Sequence, residues 1–267
     1  MRVTLKYEYH NISDLVSGTE QLVTDSRWQV SQSGLLKVSY GLTPTVSLTA
    51  IATLVQKERR AGDHVLVRGL GDGLLIANVI LLPTSLFNRQ QLVLSVGVKA
   101  PAGKSTLSLG GTLLAADLQP TSGAWDGIVS AYYTHRARAG RPLRIFASAA
   151  IRWTGSNQRF AFSGLGYKVG NEVVATLGAG YLWNTRLSTS LAGQFRQSTA
   201  DRFGGFEVST TGGQWLNVKP AVNVQLSTAL SLGLSGQFPV YRNLRGAIQL
   251  TTTYAVSAAL SYEIGIR

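Results

Sequence analysis

The chain has 267 residues, and 25 Lys and Arg against 13 Asp and Glu give it a net charge of +12, yet charged residues make up only 14% of the sequence. Soluble domains average about 25% charged residues, so the basic balance alone is weak evidence for nucleic-acid binding, and none is expected. The lack of cysteine excludes disulfides, thiolate zinc sites and cysteine nucleophiles. No apolar run approaches the roughly 20 residues of a membrane-spanning helix, and the first residues are too polar for a signal peptide.

A two-residue alternation of apolar and polar side chains predicts β-strands along the whole chain. It is clearest over residues 254–266, where Val256, Leu260 and Tyr262 are separated by small or polar residues. This run exceeds the usual strand length of about five or six residues and matches a membrane-spanning strand. In chain order the alternation predicts about twelve strands, near residues 2–10, 29–41, 45–57, 69–82, 91–99, 124–136, 143–154, 171–183, 186–198, 215–225, 229–239 and 248–266.

The predicted connections alternate between short and long. The short ones cover residues 42–44, 83–90, 137–142, 184–185 and 226–228, and the long ones cover 11–28, 58–68, 100–123, 155–170, 199–214 and 240–247. This rhythm is typical of an antiparallel up-and-down β-barrel in the bacterial outer membrane. No linker divides the chain, so we expect a single barrel domain over residues 1–267. A secreted all-β protein would also alternate, but the long strands and the nearly uncharged apolar face favour the barrel.

Three short motifs link the chain to a known family. GLGD at 69–72 opens a strand, KAPAGK at 99–104 follows a strand, and DLQP at 117–120 leads to SGAWD at 122–126. Together they resemble the outer-membrane proteins of the MetA-pathway-of-phenol-degradation transporter group. The resemblance implies an outer-membrane channel or transporter for small solutes, including hydrophobic or aromatic compounds.

The sequence gives no support for catalysis. Outer-membrane phospholipase A, an enzyme on a similar barrel, carries a nucleophilic Ser two residues after its His, whereas here His135 is followed at that spacing by Ala137. GLGDG at 69–73 lacks the spacing of a dinucleotide-binding loop, and the three histidines have no acidic cluster at metal-ligand spacing. We therefore expect no enzyme activity, no cofactor and no metal.

Charged side chains on the strands fall mainly on the face predicted to line the lumen. The inward set contains Arg2, Lys6, Lys37, Lys99, Arg136, Arg144, Arg152, Arg196, Lys219 and Arg267 against Glu8, Asp72, Asp126, Glu172 and Glu263. Excess positive charge between low-dielectric walls favours anions. The candidate pore-lining residues are Lys37, Lys99, Arg144, Arg152, Arg196 and Lys219. In the alternative, the arginines pair with the carboxylates and loop carbonyls and close the barrel.

The predicted function is a passive channel or transporter for small solutes, selective for anions or for hydrophobic and aromatic compounds. Its expected partners are the lipid bilayer, lipopolysaccharide and a small-molecule permeant. An alternative remains open, in which the barrel is a scaffold subunit that binds partners in an outer-membrane complex and transports nothing itself.

Overall fold

The structure is a computed structural model that describes residues 1–22, 27–84, 88–137, 142–160 and 164–265. Twelve strands form one closed antiparallel barrel. Within the described ranges no helix is long and apolar enough to cross a membrane. The barrel strands are β1 Arg2–Ser17, β2 Trp28–Gly41, β3 Val46–Ala61, β4 in two segments, Asp63–Leu70 and Asp72–Leu82, β5 Gln90–Pro101, β6 Asp126–Arg136, β7 Leu143–Thr154, β8 Glu172–Leu182, β9 Leu187–Ser198, β10 Gly213–Gln225, β11 Leu230–Leu244 and β12 Gln249–Glu263.

Each strand pairs with the next one along the chain, and β12 pairs with β1 to close the sheet. In the closing pair Leu5 lies opposite Leu260, and Thr4 lies opposite Ser261 with their hydroxyls 2.8 Å apart. The predicted all-β, up-and-down barrel is therefore confirmed. In their described parts the connections contain short elements, which are the strands Glu20–Gln21, Ser108–Leu109, Thr112–Leu113, Tyr167–Lys168, Arg202–Phe203 and Phe206–Glu207 and the 3-10 helix Ala116–Leu118.

The outer wall of the barrel is apolar. Leu54, Val96 and Leu177 are 62 to 65% exposed, although leucine and valine are usually buried. Their exposure is explained if this surface contacts lipid, because a contiguous apolar band surrounds outer-membrane barrels. The sequence alternation arises because every second residue of a strand contributes to this band and the others face the lumen.

The two ends of the barrel differ. Met1 and Glu263 lie at one end together with the short turns, and we call it the inner end; the longer links lie at the outer end. Tyr40, Trp183 and Tyr262 are exposed on the outer surface near the inner end, where barrels carry an aromatic girdle. In outer-membrane barrels the short turns face the periplasm, which gives this barrel its expected orientation.

Several strands extend further at the outer end than predicted. The prediction of a long loop over residues 58–68 is wrong. In the structure β3 continues to Ala61, a tight turn follows at Gly62 with φ +88°, and β4 starts at Asp63. The strands β1 and β11 likewise continue to Ser17 and Leu244. The alternation stops earlier than the pairing because residues beyond the apolar band no longer need an apolar outward side chain, while their backbone hydrogen bonds continue.

The two faces of β12 can be tested with one substituent. Val256 points outward at the centre of β12, and the adjacent Ser257 points inward opposite Glu8. We expect Val256→Arg to lower the free energy of unfolding by about 2–4 kcal/mol, the cost of a lipid-facing arginine near the bilayer midplane. Ser257→Arg should cost much less, since its guanidinium meets water and Glu8. Denaturant unfolding in lipid vesicles measures both, and equal losses would contradict the assignment of the faces.

Candidate functional site

The link between β5 and β6, residues 102–125, folds into the barrel and lies against its inner wall; we call it the inward loop. The Lys57 ammonium of β3 donates hydrogen bonds to the carbonyl oxygens of Asp117 and Gln119, both at 2.7 Å. Arg59, the next inward residue of β3, pairs with the Asp117 carboxylate. Two cations of the wall therefore hold the loop in the outer half of the lumen.

A single glutamine organises the inward loop from within. Gln119 is 2% exposed, and its side-chain nitrogen donates to the carbonyls of Leu107 and Leu114, each at 3.0 Å. Its side-chain oxygen accepts the Leu107 N–H at 2.9 Å. A buried amide left without partners would cost about 1–3 kcal/mol, so these bonds favour one conformation of the loop.

The loop returns to β6 through Gly123, which has φ +70°. A Cβ at this position would lie 2.2 Å from the side-chain nitrogen of Asn157, so only glycine fits. Asn157 is itself 2% exposed and donates a 2.9 Å hydrogen bond to the Ser105 hydroxyl. The inward loop is thus connected to the link that follows β7.

The three motifs behind the family resemblance meet at the inward loop. Gly69 of the first motif leaves room for the Pro120 ring of the third, which lies 3.1 Å from where a Cβ would stand. Gly103 of the second motif passes so close to the Leu70 carbonyl oxygen that a Cβ would lie 1.7 Å from it. The motifs therefore form one structural unit, a loop and the wall on which it docks.

Beside this unit, acidic and basic side chains alternate across the inner wall. Lys99 of β5 lies between two carboxylates, with its Nζ 2.9 Å from both Asp72 and Asp126, and its side chain is only 6% exposed. It also donates to the Ser122 hydroxyl of the inward loop, while Asp72 accepts a hydrogen bond from the Thr121 hydroxyl. An unpaired charge buried this deeply is strongly destabilising, so the lysine and both carboxylates depend on one another.

The alternation continues across β7, β8 and β9. Arg152 lies 3.9 Å from Asp126 and 3.6 Å from Glu172, and Glu172 also pairs with Arg196 at 2.7 Å. The Arg196 guanidinium lies 4.6 Å from the ring centroid of Trp215, within cation–π range. We call the six charged residues the charge ladder, and its three carboxylates balance its three cations: Asp72, Lys99, Asp126, Arg152, Glu172 and Arg196.

The six candidate pore-lining residues all occupy inward strand positions, but in two electrostatic settings. Three of them belong to the neutral charge ladder. The other three, Lys37, Arg144 and Lys219, form no ion pair with any residue that the structure describes. The Arg144 guanidinium instead lies 5.6 Å from the Phe146 ring centroid. Arg267, also predicted to face inward, lies outside the described residues.

Four further charged residues on the described parts of the barrel strands contact the lumen side and are absent from the predicted inward set: Asp14, Lys57, Arg59 and Arg242. Lys57 and Arg59 continue the odd-numbered inward series of β3, so extending that strand beyond residue 57 identifies them. Arg242 pairs with Asp14 at 2.5 Å. Arg242 lies beyond an irregularity in the pairing of β10 with β11, which shifts the alternation and hides this residue from a period-two pattern. Asp14 keeps the even-numbered inward phase of β1 and lies in the part of that strand that extends past the predicted end at residue 10.

The described residues line an outer and an inner cavity in the lumen. The outer one, of about 1030 Å³, lies between the inward loop, the opposite wall and the links at the outer end. The inner one, of about 880 Å³, opens where Met1 and Glu263 meet. Across the ranges covered by the structure, no three His, Asp or Glu side chains lie close enough together to hold a metal ion.

Aromatic rings border the outer cavity. The Tyr167 ring centroid lies 4.9 Å from that of Phe160 and 6.4 Å from that of Phe203. Burial and a 2.5 Å hydrogen bond to Asp201 raise the pKa of Tyr167 well above its usual range, so the phenol stays protonated and donates to that carboxylate. Asp201 also accepts the Gly170 N–H at 2.7 Å. The cavity border is therefore held by fixed polar contacts.

Known structures resemble the barrel in fold. An outer-membrane channel from Pseudomonas putida F1 superposes with a TM-score of 0.81 at 14% identity, over 98% of this chain and 94% of that chain. The NanC porin gives 0.54 at 7% identity over 98% and 100%, and the transport unit of the autotransporter AIDA-I from Escherichia coli gives 0.57 at 8% over 98% and 90%. At the level of sequence, neither family models nor curated proteins match.

The closed barrel, its apolar outer wall and these similarities define the class of the protein. It is an outer-membrane β-barrel, and its lipid environment is that of the bacterial outer membrane. Because the identities are low, the similarities describe the fold.

A substitution at Lys57 tests whether the contacts of the barrel wall keep the inward loop docked. Lys57→Met leaves the carbonyls of Asp117 and Gln119 without their donor, and hydrogen bonds to charged groups contribute about 1.5–3 kcal/mol. Loss of about 1.4 kcal/mol raises the undocked population about tenfold. Trypsin should therefore cleave after Lys104, inside the loop, at least about tenfold faster than in the wild type.

Lys168→Met, a lysine change in the link between β7 and β8, is the matched control and should leave the cleavage rate unchanged. Mass spectrometry of the fragments identifies the cleaved bond. Equal rates for the wild type and Lys57→Met would show that the lysine does not hold the loop.

Proposed function

We propose that the protein is a passive channel through which small solutes cross the outer membrane, with a preference for anions. The observation that carries the proposal is the inward position of Lys37, Arg144 and Lys219, none of which has a carboxylate partner among the described residues. Fixed charges in a narrow lumen with low-dielectric walls raise the local concentration of ions of opposite sign. The unpaired cations therefore favour anions.

The inward loop and the charge ladder support this proposal in different ways. The loop occupies part of the outer half of the lumen, so a solute that passes it must travel close to the opposite wall. The ladder supplies polar groups along the path but little net field, because its charges cancel. Selectivity by charge is thus assigned to Lys37, Arg144 and Lys219, and selectivity by size to the loop.

In this proposal the whole chain, residues 1–267, acts as one barrel domain surrounded by lipid and lipopolysaccharide, and its soluble partner is the small-molecule permeant. We also propose that it belongs to the MetA-pathway-of-phenol-degradation transporter group. The mutual contacts of Gly69 with Pro120 and of Gly103 with Leu70 support this membership, because they give the shared motifs a common structural role. The protein is proposed to act without catalysis or a cofactor.

Ion selectivity in planar bilayers tests the channel proposal. Under a KCl gradient the wild type should show a reversal potential on the anion-selective side, and this preference should weaken as the Debye length falls from about 10 Å at 0.1 M to about 3 Å at 1 M. The double variant Arg144→Gln with Lys219→Gln should shift the reversal potential toward cations. Arg60→Gln removes one charge from the outward face of β3 and should leave selectivity unchanged.

Two results would contradict the proposal. If the wild type conducts and the double variant keeps its selectivity, other residues set the preference for anions. If no steady current flows through wild-type protein that migrates as a folded barrel on unheated gels, the scaffold alternative replaces the channel.

A further inference from the structure

The inner cavity has two chemically different sides. On one side the Lys37 ammonium of β2 faces it, close to Arg2. On the other side, formed by β3, β4 and β5, four aliphatic side chains line it among the polar residues Ser47, Thr49, Asn78 and Gln91; the aliphatic ones are Ile51, Ile76, Ile80 and Val93. Lumens of outer-membrane channels are generally polar and water-filled, so an inward group of four aliphatic residues requires an explanation.

The two cations at this cavity differ in their availability. The Arg2 guanidinium is occupied, since its Nε donates to the Glu263 carboxylate at 3.0 Å. Lys37 has Thr4 and Ile51 as its cross-strand neighbours, and neither offers a negative charge. Within the described part of the chain Lys37 has no ion pair and no hydrogen bond through its ammonium. An anion from solution is therefore its natural counter-ion.

The aliphatic side is equally available. The inward loop docks on the outer half of β3 and β4, through Lys57 and Gly69, and leaves the inner half uncovered. Ile51, Ile76 and Val93 each remain partly exposed to the cavity. Burying such side chains against an apolar solute contributes about 25 cal/mol per Å² of apolar surface removed from water. This side of the cavity favours solutes with an apolar body.

We propose that the inner cavity is a binding site for organic anions in which a carboxylate is attached to a compact apolar body. The carboxylate pairs with Lys37 while the body lies against Ile51, Ile76 and Val93. This inference rests on the proposed channel function and names the class of permeant. Chloride or acetate satisfies only the charged side, and a neutral alcohol only the apolar side.

Relative permeability in planar bilayers tests the site. Cyclohexanecarboxylate and acetate, each replacing chloride on one side at pH 8 so that both are ionised, are compared in the full chain. A water-filled sieve passes the smaller acetate more readily. The two-sided cavity reverses this order, so the permeability of cyclohexanecarboxylate should exceed that of acetate. A protein-free bilayer measures leakage through the lipid.

Two variants separate the two sides of the cavity. Ile76→Ser should restore the sieve order, so that acetate becomes more permeant than cyclohexanecarboxylate. Lys37→Gln should lower the permeability of both carboxylates relative to potassium. The matched control is Ile128→Ser, an inward isoleucine of β6 outside the cavity, and it should keep the wild-type order.

The outcomes distinguish this inference from the channel proposal. If the wild type conducts chloride but passes acetate more readily than cyclohexanecarboxylate, the site is refuted and the channel stands. An unchanged order in Ile76→Ser, with the variant folded on unheated gels, also refutes the site. Absence of current in every salt refutes the channel itself.

Discussion

The edges of a β-sheet cannot remain unpaired in a membrane, because hydrocarbon offers no partner to backbone N–H and C=O groups. In this protein β1 and β12 remove both edges by pairing from Arg2 opposite Glu263 to Val16 opposite Gln249. Closure then obliges each strand to turn one face to lipid and the other to the lumen. The apolar outer wall, the polar interior and the two-residue period of the sequence all follow from this one requirement.

Closure also determines which charges meet. Neighbouring strands lie about 4.8 Å apart, so inward side chains at paired positions are within reach of an ion pair. Lys99 lies opposite Asp126, and this register produces part of the charge ladder. Where the register places a neutral residue opposite a cation, as with Lys219 opposite Ala192, the charge stays unpaired. One sheet thus contains both a neutral ladder, which stabilises the wall, and cations that can act on solutes.

The number of strands, and the face on which most strand residues lie, could be predicted because contact with lipid requires an apolar side chain at every second position. Leu260, which lies between two inward residues, is an example. The signal fails where that constraint ends. On β3 the outward series changes from Leu54 to Gln56 and Glu58, so the pattern stops while pairing continues to Ala61. Arg242 is hidden for a different reason, since one extra residue in the pairing of β10 with β11 reverses the faces of β11 before the strand reaches Arg242.

The contacts of the inward loop were beyond sequence reasoning altogether. In the sequence Gln119 looks like any other polar loop residue. Its side chain becomes the centre of a hydrogen-bond network only because the folded loop encloses it. The two motif glycines, Gly69 and Gly103, indicated a close approach to the backbone, but the sequence did not show which segment approaches each of them. Their partners became identifiable only when the loop and the wall were seen together.

The position of the inward loop also bears on the order in which the barrel assembles. Its wall contacts come from strands that precede it closely in the chain: Lys57 lies 60 residues before Asp117, and Lys99 lies 23 before Ser122. The closing pair of Arg2 and Glu263 spans 261 residues. Contacts near in sequence cost less chain entropy and form sooner. The inward loop can therefore dock on the strands of the first half of the chain before the barrel closes. The later strands then complete the barrel around a loop that is already in place.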